Sequence, residues 1–113
     1  MNIQLFGVKK CFDTKKAERY FKERKIKYQF VDLTIKGLSK GELQSVKAAV
    51  GLNNLIDNAA KDYSRLNMDR IASTSVREEI LLKNPGLYKT PIVRNGKQAT
   101  VGFAPDVWKS WED

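Results

Sequence analysis

The chain has 113 residues, of which 42% are hydrophobic and 30% charged, and it carries a net charge of +8. This composition is typical of a folded globular protein, and the length suits one domain, residues 1–113, that can bury a core without disulfides or metals. The sequence contains one cysteine and no histidine. A disulfide framework, a zinc site of the Cys/His kind and a Ser-His-Asp or Cys-His arrangement are therefore excluded, and we expect no metal site.

Charge and hydropathy also limit location and partners. No apolar run approaches the roughly 18 residues of a transmembrane helix, and the N-terminus lacks the basic start of a signal peptide. We expect a soluble cytoplasmic protein with no membrane partner. In the reducing cytoplasm a lone cysteine stays reduced. The positive charge favours an anionic partner. However, the lysines are interleaved with glutamates and no recognition motif is present, so direct nucleic-acid binding is not expected.

The first third of the chain predicts a βαβ unit. Residues 3–8 and 28–33 are short apolar runs typical of strands. Between them, apolar side chains at i, i+3 and i+4 predict a helix from Asp13 to near Lys25, capped by Asp13 or Thr14. The two strands of such a unit are parallel.

The middle of the chain predicts helices and, at residues 53–58, a short irregular stretch with Leu55 and Ile56 buried. Ser39 and Glu42 have the spacing of a capping box, which starts a helix that Gly51 ends. One or two helical turns are expected at residues 61–66, and another helix at residues 73–83. The predicted inner face of that last helix consists of Val76, Ile80 and Leu81.

The last part of the chain predicts a hairpin and a helix. Two short β runs, residues 90–94 and 97–102, flank Asn95-Gly96, a strong hairpin signal. A C-terminal helix follows with Pro105 in its first turn. Its predicted apolar stripe consists of Val107, Trp108 and Trp111. The order βαβ, helices, ββα predicts a thioredoxin-like α/β fold with a helical insertion at about residues 35–84.

Cys11 lies where the first strand passes into the first helix. Unpaired backbone N–H groups and the helix dipole stabilise a thiolate there, which lowers the pKa of a cysteine. Thr14, three residues on, can donate a hydrogen bond to the sulfur. This layout favours a nucleophile that needs no separate base. The alternative is a small apolar residue packed in the core, the usual state of a free cysteine.

Several segments resemble the ArsC family, which includes glutaredoxin-type arsenate reductases, the Spx transcriptional regulators and YffB-like thiol reductases. Residues 11–17, CFDTKKA, are similar to the family's active-site segment. Residues 90–93, TPIV, look like its Arg-Pro-Ile-Val stretch, and residues 101–103, VGF, look like its Val-Gly-Tyr. Residues 54–56 and 63–67 resemble the stretch between its middle helices. The likeness spans nearly the whole chain, in the family's order.

The resemblance implies a monothiol reductase without a bound cofactor. Cys11 would attack an oxidised or glutathionylated sulfur of its substrate, a small thiol or a thiol-modified protein, with Thr14 supporting the thiolate. Because the chain has no resolving cysteine, glutathione or another low-molecular-weight thiol would complete the reaction as co-substrate. The resemblance further implies a cis bond at Thr90-Pro91, facing the cysteine and positioning the thiol partner. An ordinary trans-proline that opens an edge strand is the alternative.

Basic residues complete the predicted site. The carboxylates of the thiol partner would be held by Lys15, Lys16 and Arg94. Phe12 is expected to line the pocket of the cysteine.

Two departures from the family pattern narrow the function. Oxidation-sensing Spx regulators have a Cys-x-x-Cys pair, and here Thr14 occupies the second position, so no internal disulfide switch is possible. Arsenate reductases of the family hold their oxyanion with arginines. The matching positions here are Thr90 and Asp57, and an aspartate cannot replace an arginine that clamps an anion. Arsenate reduction is therefore not expected.

Two other readings stay open at the level of sequence. A Spx-like regulator that binds RNA polymerase fits the positive charge and the helical insertion. A family member whose cysteine is vestigial fits the same resemblance.

Overall fold

A computed structural model describes residues 1–112; the last residue of the predicted domain, Asp113, lies outside the described residues. Four strands form one sheet in the order β2-β1-β3-β4. Their bounds are β1 Ile3–Gly7, β2 Tyr28–Asp32, β3 Ile92–Asn95 and β4 Gln98–Val101. β1 pairs parallel with β2 and antiparallel with β3, and β3 pairs antiparallel with β4. The predicted βαβ unit and hairpin therefore meet along β1 and β3.

The helices are α1 Phe12–Glu23, α2 Lys40–Val50, α3 Leu52–Leu55, α4 Lys61–Arg65, α5 Thr74–Lys83 and α6 Pro105–Trp111. Short 3-10 turns at Met68–Arg70 and Pro85–Leu87 connect the later elements. Helices α2 to α5 lie between β2 and β3 in the chain, as the predicted insertion required. The thioredoxin-like α/β fold predicted from the sequence is confirmed.

Strand alternation sends the side chains of the sheet into two separate cores. Ile3 and Leu5 of β1 pack with α1 and α6, around the buried Trp108. Phe6 points to the opposite face and packs with the inserted helices. This follows from the two-residue period of a strand, and it leaves the end of β1 between two helical layers.

One local signal in the sequence, the capping box of α2, is confirmed. Ser39 and Glu42 form the predicted capping box, with hydrogen bonds in both directions.

Within residues 1–112, no helix combines the length and the apolar character that crossing a membrane requires.

Three details differ from the predictions. Helix α1 begins at Phe12 with Cys11 as its N-cap, so neither Asp13 nor Thr14 caps it. Val76 is 42% exposed because the inner face of α5 turns toward Leu81 instead. Val107 is 44% exposed, which leaves Trp108 as the buried anchor of α6.

Candidate active site

Cys11 occupies the N-cap of α1 with extended backbone angles, φ −72° and ψ 125°. Its N–H donates to the Val8 carbonyl at 3.0 Å, and its carbonyl accepts from the Lys15 N–H at 3.2 Å. The first N–H groups of a helix have no partner within the helix. Here those of Asp13 and Thr14 lower the pKa of the Cys11 thiol, although the thiol form makes no capping hydrogen bond. The sulfur therefore lies at the positive end of the helix dipole, where a side-chain cap usually sits.

The surroundings of the sulfur favour its ionised form. Partial burial raises the pKa of the Cys11 thiol, but hydrogen bonds from the side chains of Thr14 and Thr90 outweigh it, with help from the backbone N–H groups of Thr14 and Asp13. The net pKa is below the ordinary value for cysteine. In the thiol form, Sγ donates instead to the Thr90 carbonyl at 3.6 Å. Ionisation therefore exchanges this one weak bond for several donors aimed at the thiolate.

Thr14 is held against the sulfur by its neighbours. Its side chain is fully buried, and its hydroxyl has no hydrogen-bond partner among the described residues while the cysteine is a thiol. A Cβ placed on Gly7 would lie 2.6 Å from the Thr14 Cγ2 and 2.7 Å from its Oγ1. A glycine at the end of β1 thus leaves the space that Thr14 fills. The hydroxyl is free to donate to a thiolate.

The second wall of the site is the loop before β3. The Thr90-Pro91 peptide bond is cis, as the resemblance implied. The Gly102 N–H donates to the Pro91 carbonyl at 2.8 Å, and the Lys89 N–H donates to the Leu55 carbonyl at 2.8 Å. These bonds fix the loop between the end of β4 and the inserted helices. Among residues 1–112, the backbone N–H of Thr90 donates to no other backbone group.

Cys11 opens into a cavity of about 620 Å³. The described residues that line it are Cys11, Asp13, Val50, Asn54, Asp57, Lys89, Thr90, Val101 and Gly102. Its charged groups are two carboxylates and one ammonium, and no arginine is among the described lining residues. The cavity therefore lacks the guanidinium fork that suits an oxyanion.

The structure brings together most of the predicted site. Cys11, Thr14 and Thr90 meet at the sulfur, and Pro91 is buried directly behind Thr90. Lys15 is exposed and does not belong to the described residues that line the cavity.

The structure places Arg94 outside the predicted site. Its guanidinium donates to the Gln4 Oε1 at 2.8 Å and to the Ser45 Oγ at 3.1 Å. Arg94 pairs with Gln4 in the antiparallel register of β1 and β3, whereas the cysteine follows Gly7 at the other end of β1. The register therefore carries Arg94 away from the sulfur, into a contact between the sheet and α2.

Two residues that line the cavity, Asn54 and Lys89, were not predicted from the sequence. One residue that was predicted there, Phe12, lies elsewhere. Asn54 and Lys89 come from segments far apart in the chain, which an isolated bridge between Ile56 and Tyr88 holds together. No local pattern in the sequence signals that bridge. Phe12, expected in the pocket, is 73% exposed and lies outside the cavity lining described above.

Comparison with known sequences gives a consistent picture. The model of the ArsC family matches residues 6–111. The chain is 27% identical over 108 residues to the global transcriptional regulator Spx of Listeria innocua, which covers 92% of this chain and 82% of that protein. It is 28% identical, over the same extent, to Spx of Staphylococcus aureus.

Solved structures show the same fold. A YffB protein superposes with a TM-score of 0.82 at 26% identity, covering 96% of each chain. An arsenate reductase from Vibrio cholerae superposes with a TM-score of 0.85 at 20% identity, covering 97% of each chain. At that identity the second likeness concerns the fold alone.

Proposed function

This chain belongs to the ArsC family, and we propose that within it the protein is a monothiol reductase that uses Cys11 as its nucleophile. One observation carries the proposal: the Cys11 sulfur, open to a cavity, has donors from Thr14, Thr90 and the start of α1 around it, which hold its pKa below the ordinary value. Reactive cysteines occupy partly exposed, electropositive surroundings of this kind, and buried structural cysteines do not.

The reaction proceeds by two thiol–disulfide exchanges. The Cys11 thiolate attacks the glutathione sulfur of a glutathionylated substrate, forming a Cys11–glutathione disulfide and releasing the substrate thiolate, which takes a proton from water. A second glutathione, as its thiolate, then attacks the glutathione sulfur of that mixed disulfide. Oxidised glutathione leaves and the Cys11 thiolate is restored. Two electrons pass from glutathione to the substrate.

The residues around the sulfur have separate roles in this scheme. The Thr14 hydroxyl and the first N–H groups of α1 stabilise Cys11 whenever it leaves as a thiolate. The N–H of Thr90 pairs with the backbone of the incoming thiol partner. With one cysteine in the chain, the resolving thiol comes from outside, from glutathione or another low-molecular-weight thiol of the reducing cytoplasm.

The charges of the cavity do not favour arsenate as substrate. Asp13 and Asp57 oppose an oxyanion, and Lys89 supplies a single positive charge. An arsenate would meet more repulsion than attraction at the rim of this site. We therefore propose sulfur substrates and not oxyanions.

The test is turnover of a glutathionylated peptide in the presence of glutathione, glutathione reductase and NADPH. We expect multiple turnovers and, when glutathione is withheld, a protein mass increased by one glutathione on Cys11. Cys11→Ser should abolish both signals, and Thr14→Val should slow turnover while leaving the adduct site unchanged. A wild-type protein that neither turns over nor forms the adduct would refute the reductase proposal and favour a vestigial cysteine.

The curated relatives favour a second candidate function. Two of them are named global transcriptional regulators, and they align over 92% of this chain. In this alternative the protein binds RNA polymerase as a regulator. Because Thr14 removes the second cysteine, that binding would not depend on an internal disulfide. A complex with RNA polymerase that persists in Cys11→Ser would support the regulator, whereas the reductase loses its activity with the same change.

A further inference from the structure

Two exposed aromatic residues each stand next in sequence to a residue that lines the cavity. Phe12, the residue after Cys11, is 73% exposed. Phe103, which follows the cavity residue Gly102, is 40% exposed. A single exposed apolar side chain needs no explanation. Two aromatic rings that flank one lysine, each next in sequence to a residue of the cavity, are a more specific arrangement.

A cation joins the two rings. The Lys16 Nζ lies 5.1 Å from the centroid of the Phe12 ring and 5.5 Å from that of Phe103, both within cation–π range. The Phe103 ring also packs edge-on against Trp108, with centroids 5.5 Å apart. The Phe103 ring is therefore held in place by the fold, whereas the Phe12 ring contacts the Lys16 ammonium and stays largely in water.

A shallow groove of about 290 Å³ continues this surface along α1. The described residues that line it are Lys16, Arg19, Tyr20, Glu23 and Phe103. Lys9, Lys10 and Lys15 are also exposed near Cys11. The groove lining carries two basic groups, Lys16 and Arg19, and one acidic group, Glu23, whereas the cavity has two carboxylates and one ammonium. We call Phe12, Lys16, Arg19 and Phe103 the aromatic–basic surface.

We propose that the aromatic–basic surface docks an acidic, extended protein segment whose cysteine carries the glutathione that Cys11 attacks. An apolar side chain of the segment covers the rings of Phe12 and Phe103, and a carboxylate beside it meets Lys16 and Arg19. This inference rests on the reductase function proposed above and names its substrate class: protein cysteines flanked by acidic and apolar residues. The covalent steps are those already given.

Size and position distinguish the extended protein segment from a small thiol disulfide as the partner of this surface. A small thiol disulfide bound at Cys11 fits inside the cavity and leaves the Phe12 ring uncovered. An extended chain advances about 3.3 Å per residue. The neighbours of its modified cysteine therefore reach the rings while the sulfur stays at Cys11.

The experiment compares three glutathione mixed disulfides. Two are peptides of equal length, one with glutamate and leucine beside the modified cysteine and one with lysine in place of each glutamate. The third is the mixed disulfide of glutathione with 2-mercaptoethanol. Each is assayed with the wild-type protein, with Phe12→Ser, with Lys16→Gln and with the matched control Ile35→Ser. Ile35 is 84% exposed and lies at none of the sites described above, so it removes an exposed apolar side chain elsewhere.

We expect the wild-type kcat/KM to be about tenfold higher for the acidic peptide than for the basic one, a preference that salt weakens. The ratio of kcat/KM for the acidic peptide to that for the small disulfide should fall about tenfold in Phe12→Ser and severalfold in Lys16→Gln, as loss of a ring contact and of an ion pair predicts. Ile35→Ser should keep the wild-type ratio. Equal use of both peptides, or an unchanged ratio in Phe12→Ser, would overturn the docking proposal.

Binding separates the docking surface from the chemistry. The acidic peptide with serine in place of its modified cysteine, labelled for fluorescence anisotropy, should bind the wild-type protein more tightly than Phe12→Ser does. If no disulfide is turned over but this difference is found, the reductase function fails and the docking surface stands. If the small disulfide is turned over and this peptide binds both proteins equally, the reductase stands and the docking surface fails.

Discussion

Replacing Thr14 with valine should make the protein more stable and its cysteine less reactive. Thr14 is fully buried and its hydroxyl has no partner among residues 1–112 in the thiol form, so it carries the cost of a buried unsatisfied group. Valine has nearly the same shape and no hydroxyl. Below the pKa of Cys11, where the thiol predominates, we expect the free energy of unfolding to rise by about 1 kcal/mol, the low end for relieving such a group.

The same substitution should lower the fraction of Cys11 that is ionised to the thiolate. Hydrogen bonds to charged groups contribute about 1.5–3 kcal/mol, and because this sulfur is partly open to water we use the low end. About 1.4 kcal/mol corresponds to a factor of ten. Below the pKa of Cys11 the thiolate fraction should therefore fall roughly tenfold, which slows alkylation of Cys11 by iodoacetamide. Urea unfolding and alkylation rates, measured on the same preparation, give both quantities.

Thr100 provides the matched control. It is also a buried threonine, but its Oγ1 accepts from the Trp108 Nε1 at 2.7 Å. Thr100→Val leaves that indole N–H unsatisfied and should destabilise the protein by about 1–3 kcal/mol, without slowing alkylation of Cys11. If Thr14→Val destabilises the protein as Thr100→Val does, or leaves the alkylation rate unchanged, the role given to the Thr14 hydroxyl is wrong.

Three further predictions follow from neighbouring contacts. Gly7→Ala places a Cβ 2.6 Å from the Thr14 Cγ2. The free energy of unfolding in urea should therefore fall by about 1–3 kcal/mol, and alkylation of Cys11 should be slower. Wild-type stability would contradict the close packing. Ser39→Ala removes the capping box and should cost about 1 kcal/mol with alkylation unchanged; a change in alkylation would show that α2 is coupled to the sulfur. Burial and the hydrogen bond to Glu18 raise the pKa of Tyr28 to about 12. Because its unfolded value is about 10, stability falls as pH rises from about 10 toward 12, and Tyr28→Phe should reduce that fall; an unchanged pH profile of unfolding would refute the contribution.

Features set by neighbouring residues could be predicted from the sequence. The capping box at Ser39, the hairpin turn at Asn95-Gly96 and the position of Cys11 at a strand-to-helix junction each depend on a few consecutive residues. Such signals need no knowledge of what packs where. The resemblance of short segments to a family added the order of elements and the cis bond before Pro91.

Features set by pairing between distant segments could not be predicted. Arg94 was expected to hold the carboxylates of the thiol partner, but the antiparallel register of β1 and β3 places it opposite Gln4. Asp57 and Lys89 reach the cavity together only through the bridge between Ile56 and Tyr88. A shift of one residue in either pairing would move these side chains to the other face.

The central claim is that the fold holds Cys11 as a reactive thiolate. It is tested most directly by the pH dependence of iodoacetamide alkylation, measured on the folded protein and on the same protein in denaturant. The account predicts an inflection at lower pH in the folded protein, because the donors of Thr14, Thr90 and α1 are lost on unfolding. A folded protein whose cysteine reacts only after denaturation, or at the same inflection in both states, would contradict the claim.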